Sequence, residues 1–279
     1  MSPVRPERLL SLDFMRGLIM VLLMLESTQL YDRLLELDFP AVHSFALQFH
    51  HHPWHGLRFW DLVQPGFMFI AGTALALSLH RQAVAGVPWS ASLRKALKRS
   101  GWLFFWGVLD YAVRPAGLSF ELWDVLTQLS FTLLVAFLVF RWPAWRQIGF
   151  SIGLLAGYGL DATTTPIIKR IATSSFVLAS GGYCLLALAA CYWTVDIRKR
   201  RPLITFFTVV GMNSLFIYLF FEIVGDRWFT RYVGAISNGV MTMARVPVPV
   251  MGIVTALVVF ALEWQMCYFL YRNRIFFKV

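Results

Sequence analysis

Five of the six histidines crowd into one short segment, His43-Ser-Phe-Ala-Leu-Gln-Phe-His50-His51-His52-Pro-Trp54-His55. Imidazole titrates near neutral pH, so such a cluster suits proton transfer, metal binding or a pH gate. A run of three invites the metal reading. Adjacent residues project apart, however, structural metal sites favour spaced ligands, and no cysteine is near, so no metal is expected. Carboxylates flank the segment: Glu26 precedes it and Asp61 follows it. A carboxylate beside an imidazole fixes its tautomer and raises its basicity. The histidines are therefore candidate bases with Glu26 and Asp61 as candidate partners, and chemistry alone does not select one of the five. The plain alternative for the two acids is that they are solvated at a membrane interface.

These groups must be held by membrane helices. The 279-residue chain is 58% apolar and 14% charged, with a mean hydropathy of +0.63. Soluble domains run near 45–50% apolar and about 25% charged. Long apolar runs recur from end to end, which predicts an all-α, polytopic membrane protein folded as one domain over 1–279. A crossing needs roughly 20 residues. About eight spans are expected, at 13–29, 60–79, 101–113, 122–140, 148–158, 176–194, 203–224 and 248–271. The first residues, with Pro3, Arg5, Pro6, Glu7 and Arg8, lack the apolar core and cleavage site of a signal peptide, so the first span is expected to be retained. Cys184, Cys191 and Cys267 have no metal-type spacing and read as packing residues.

The net charge of +10 does not call for nucleic acid, because topology explains it. With eight spans, one face carries about sixteen Lys and Arg and the other about eight, which places both termini in the cytoplasm. The histidine segment then lies on the opposite side. Asp13 and Arg16, three apart on the first helix, share a face and can neutralise each other; Arg16 can instead grip a phosphate. Glu26 lies roughly 20 Å beyond Asp13 along a helix axis, near the histidines. Asn213 lies inside an apolar run and needs partners. Glu222, Glu263, Asp110 and Asp124 also sit in or beside spans, with no common face evident. The basic residues Arg94, Lys95, Lys98 and Arg99 fit either topology or an anionic ligand.

Four blocks resemble the heparan-α-glucosaminide N-acetyltransferase family. Arg8-Leu-Leu-Ser-Leu-Asp13-Phe-Met-Arg16-Gly17 resembles its opening motif. His51-His-Pro-Trp54-His-Gly56-Leu-Arg-Phe-Trp-Asp61-Leu-Val-Gln-Pro65-Gly-Phe67-Met-Phe69-Ile-Ala-Gly72 resembles its signature. Gly211-Met212-Asn213-Ser214-Leu with Tyr218 and Glu222 resembles a third block, and the run from Tyr271 to Val279 a fourth. The blocks occur in the family's order.

The resemblance implies a polytopic enzyme that moves acetyl from cytoplasmic acetyl-CoA to a sugar amine across the membrane. It places the active-site histidine on His51, with His52 one residue away, and a conserved aspartate on Asp13. Arg16 and the residues of 94–99 would hold coenzyme A phosphates. Asn213 and backbone N–H groups near Gly56 would face the acyl oxygen, and Trp54 and His55 the acceptor. His51 would act as base or carry the acyl group transiently.

The sequence also departs from the family. An active-site asparagine falls on Glu26, a histidine on Phe221, and a Gln-Arg pair on Thr127-Gln128; a large outer loop is missing. The acceptor is therefore expected to be an amino sugar or hydroxyl of an envelope glycan rather than heparan sulfate. A bacterial inner membrane, contact with lipid and a homodimer are the expected setting. The competing classes are a proton-coupled transporter and a non-catalytic envelope protein.

Overall fold

The computed structural model describes residues 9–53, 56–113, 125–143, 145–146, 149, 174–199 and 203–277. Every regular element among them is helical. The expected span 148–158, the start of the fourth span with Asp124, and Trp54 and His55 lie outside the described residues.

Helix α1, Leu10–Ser27, is the hub. Leu, Met and Ile fill it, and these residues either favour the helix or lose little in it. Its first turn receives a carboxylate from a distant segment: the Ser11 N–H donates to Asp196 Oδ2 at 3.2 Å, which satisfies one of the open donors of a helix start. It stops where Gln29 turns left-handed, φ 61°. Leu12, Met15, Ile19, Met20, Val21 and Met24 are buried around its circumference, so α1 is enclosed by other helices. Those neighbours are α4 (Val63–Val84), α7 (Ser174–Tyr192), α8 (Ile204–Met212), α9 (Ser214–Phe220) and α11 (Val248–Arg272). Helix α5, Trp89–Val113, pairs with α6, Val125–Val139, beside α4.

The α1–α8 contact depends on two glycines. A Cβ on Gly17 would overlap the Phe207 carbonyl, and one on Gly211 would stand 2.7 Å from the Asp13 carbonyl oxygen. Lipid gives no hydrophobic drive for helix association, so close backbone approach through small residues supplies it. Trp264 Nε1–H donates to the Phe206 carbonyl at 3.1 Å and ties α11 to the same pair.

Phe59–Val84 and Val248–Arg272 are each long and apolar enough to cross a membrane. The expected straight span 203–224 is instead broken at Asn213, with a 72° bend between α8 and the helix that follows. Counted as one span, that pair is a third candidate. The helix expected at 101–113 begins at Trp89, so the basic residues 94–99 form a helix rather than a loop. The stretch between the expected spans 203–224 and 248–271 is largely helical as well. A π-helical segment, Phe221–Phe229, runs into α10, Thr230–Met243. Its apolar residues alternate with polar ones at helical spacing, so no long apolar run marks it. The histidine segment is ordered by α2 (Leu30–Leu35), α3 (Pro40–Ala46) and a 3₁₀ turn at Leu47–Phe49. Tyr31 stacks on Phe49 at 4.2 Å and meets Trp60 edge-on at 5.6 Å, fastening this cap to the start of α4.

Gly17→Ala is expected to lower stability by about 1–3 kcal/mol, the usual range for overpacking. Gly101→Ala, which meets nothing within 4 Å, should not. Thermal unfolding in detergent by intrinsic fluorescence compares the two; equal melting temperatures would show that the glycine contact does not hold α1 to α8.

Candidate active site

Asp61 is the fixed point of the site. Arg58-Phe-Trp-Asp61 forms a capping box at the 3₁₀ turn Phe59–Leu62: the Asp61 N–H donates to the Arg58 carbonyl at 3.1 Å, and the Arg58 N–H donates to Asp61 Oδ2 at 3.0 Å. The same oxygen receives the His52 N–H at 3.3 Å, and Oδ1 receives His51 Nδ1–H at 2.9 Å. Arg58 Nη1–H donates to the His51 carbonyl at 3.0 Å and closes the loop from the other side. The Asp61 side chain is 1% exposed and the His51 ring 56%. A buried carboxylate acting as acceptor puts the proton of neutral His51 on Nδ1, which makes Nε2 the basic nitrogen of the ring. Gly56 makes the loop possible. Its φ is +129°, and a Cβ there would sit 2.9 Å from His52 Nε2.

His51 lines a cavity of about 740 Å³. Glu26 and Glu222 line it too, and so do Arg16 and Arg99. Arg16 and Glu26 are ten residues apart on α1, so the cavity runs about 15 Å along that helix. Its cationic and imidazole ends are therefore separate. Between them the wall is mostly apolar, from Met20, Leu23, Phe67, Leu126 and Leu129, with Gln64 and Tyr218 as polar interruptions. Phe276 and Phe277, beyond the end of α11, complete the lining.

The other candidate residues divide between the cavity and elsewhere. Asp13 is buried, 3.9 Å from Arg16 Nη1. It faces a smaller cavity of about 320 Å³ that Arg16 and Arg81 also line. Of the basic run only Arg99 enters the main cavity; Arg94, Lys95 and Lys98 are exposed. Arg99 and Leu103, one turn apart, share the inward stripe of α5, and the others either point away or lie beyond the cavity. Arg16 and Arg99 are close enough to repel each other. Arg99 Nε is buried without a hydrogen-bond partner.

Asn213 is not brought to the cavity. It is fully buried at the α8–α9 break, where its Oδ1 accepts the Phe277 N–H at 3.2 Å and pins the C-terminal tail. Its Nδ2 has no partner. His52 packs over Gly56 and does not line the cavity.

The three adjacent histidines go to different places. His50 Nε2 meets Asp32 Oδ1 at 2.9 Å, His51 meets Asp61, and His52 covers Gly56. No group of three or more ligands suited to a metal occurs among the described residues. Sequence reasoning passed over Gln64, whose Nε2–H donates to Gln128 Oε1 at 2.6 Å, and gave Tyr218 and Glu222 no role. Their signal was a polar side chain at helical spacing within an apolar run.

A family model described as heparan-alpha-glucosaminide N-acetyltransferase, catalytic, matches residues 8–166, more than half of the chain. No curated protein matches it. The matched stretch contains Arg16, Glu26, His51, Asp61 and Arg99.

Asp61→Asn would turn an NH₂ group toward donors that now share a carboxylate. A loss of about 1–3 kcal/mol is expected, the penalty for a buried polar group left unsatisfied. Imidazole ¹⁵N shifts of labelled protein should show the Nδ1–H form of His51 in the parent chain and a tautomer mixture in the variant. An unchanged pattern would mean that Asp61 does not set the ring.

Proposed function

The chain belongs to the heparan-alpha-glucosaminide N-acetyltransferase family, and on that premise we propose that it moves acetyl from cytoplasmic acetyl-CoA to an amino sugar or hydroxyl of a glycan across a membrane. The observation that carries this reading is a single cavity with arginines at one end and a carboxylate-oriented imidazole at the other. The eight-span topology expected from the sequence would set the direction: by the positive-inside rule it opens the arginine end to the cytoplasm and puts His51 toward the far side. A bacterial inner membrane fits this arrangement.

The donor's phosphates would rest on Arg16 and Arg99. Guanidinium suits phosphate, and the unpartnered Arg99 Nε supplies a buried donor that an anion would satisfy. The apolar midsection accommodates the thioester arm and keeps water away from it. At the other end, the acceptor nitrogen or oxygen attacks the thioester carbonyl carbon while His51 Nε2 takes its proton. A C–N or C–O bond forms and the C–S bond breaks, with the electron pair leaving on sulfur. His51 then returns the proton to the thiolate, giving the free thiol. Asp61 holds the ring in the basic tautomer and stabilises the imidazolium between these steps. Transient acylation of His51 would begin at the same nitrogen.

His51→Ala is expected to lower acetyl transfer by about 10²–10⁴-fold, the usual contribution of a positioned base, with acetyl-CoA still bound. Mass spectrometry of envelope glycans from cells carrying either form would show the acetylated species disappear. Undiminished acetylation would remove His51 from the reaction.

Arg99→Ala should weaken acetyl-CoA binding by about tenfold or more, as loss of a charge-assisted hydrogen bond does. Calorimetry on purified protein reads this directly; an unchanged affinity would place the phosphates elsewhere.

A further inference from the structure

A second cavity, of about 1010 Å³, adjoins the first. It lies among the outer end of α1, α2, the π-helical segment Phe221–Phe229, α10 and α11. Glu26 and Glu222 line both cavities, so they form the partition, and a molecule passing from the second space toward His51 meets two carboxylates. Two other charges on its wall are matched locally: Arg33 pairs with Glu36 at 2.8 Å, and Asp32 with His50 at 2.9 Å.

Arg231, on α10, also lines this cavity. Among the described residues it has no hydrogen bond or ion pair. Arg227 stands one turn before it on the same wall. A hydroxyl-amide pair completes the surface: Thr255 donates to Asn238 Oδ1 at 3.0 Å. The space is thus polar, large enough for a sugar, acidic where it adjoins the base, and basic on α10.

We infer that this second cavity is the acceptor chamber, and that it selects a sugar whose amine or hydroxyl rests beside Glu26 and Glu222 while an anionic substituent rests on Arg231. This rests on the transferase reading and adds to it the class of acceptor. A carboxylate pair holds an amine or hydroxyl by accepting its hydrogens. A guanidinium holds phosphate or carboxylate in a planar fork. A ligand with both groups is oriented by that polarity, its nucleophile toward His51.

The test uses the full chain in phosphatidylcholine nanodiscs, with glucosamine 6-phosphate, glucosamine and inorganic phosphate as probes in calorimetry. Glucosamine 6-phosphate should bind at least about tenfold tighter than either of the others, the scale of one charge-assisted contact. Arg231→Ala should remove that preference. Ala235→Trp, which fills the chamber from an exposed position on α10, should abolish sugar-phosphate binding and leave acetyl-CoA affinity as it was.

Equal binding of glucosamine and its phosphate would overturn the proposal, and so would a preference that survives Arg231→Ala. Inorganic phosphate binding as tightly as the sugar phosphate would reduce the site to a bare anion site. Competition by phosphatidylethanolamine nanodiscs would assign the chamber to a lipid headgroup and overturn the sugar. Labelled acetyl transfer separates the two readings. The expected binding pattern without transfer sinks the transferase and leaves the chamber as a sugar-phosphate site alone; equal, Arg231-independent transfer to both sugars keeps the transferase and overturns the chamber.

Discussion

One buried carboxylate holds the reactive end of this protein together. Asp61 receives two backbone N–H groups and one imidazole N–H while hidden from solvent. A charge in that position is tolerated only because donors surround it. Removing them would leave it stranded, so the loop carrying His51 and His52 has little freedom to move independently of α4. The same bonds decide which nitrogen of His51 faces outward. Chemistry and loop order therefore follow from one interaction.

The second constraint is the bilayer. Charges inside it are rare because they are expensive, and they face cavities or partners. The charges of helix α1 are placed in that manner: Arg16 and Glu26 line the same cavity, while Asp13 sits against Arg16. The glycine contact between α1 and α8 brings the two backbones close enough to seal one side of that space. The break at Asn213 is the compensating irregularity. There the Asn213 N–H reaches the Val210 carbonyl at 3.1 Å, and the Asn213 side-chain oxygen accepts from the chain's own tail.

The parts of the site legible in the sequence were those set by residue type and short spacing. The histidine cluster, the flanking acids and the Asp13–Arg16 pair all depend on neighbours along the chain, and the motif around 51–61 carries its own capping box. The fold splits the run 94–99. Its four basic residues look alike in sequence, yet a helix sends them in different directions and only Arg99 turns inward. The place of Asn213 was not legible for a related reason: an amide in an apolar run signals a need for partners and does not say whether they belong to a ligand or to the protein.

Composition and periodicity alone determined an all-helical membrane fold, and residue type alone marked the histidine cluster and its flanking acids, His51 itself coming from the family resemblance. Both rest on local physics, the solvation of side chains and the reach of adjacent groups. Only the tertiary structure decided that Arg99 rather than its neighbours faces Arg16. Only there do Glu26 and Glu222, far apart in the chain, divide two cavities, and only there does Asn213 serve the C-terminal tail. Those outcomes depend on how helices rotate against one another, which close packing of distant residues fixes and no stretch of sequence contains.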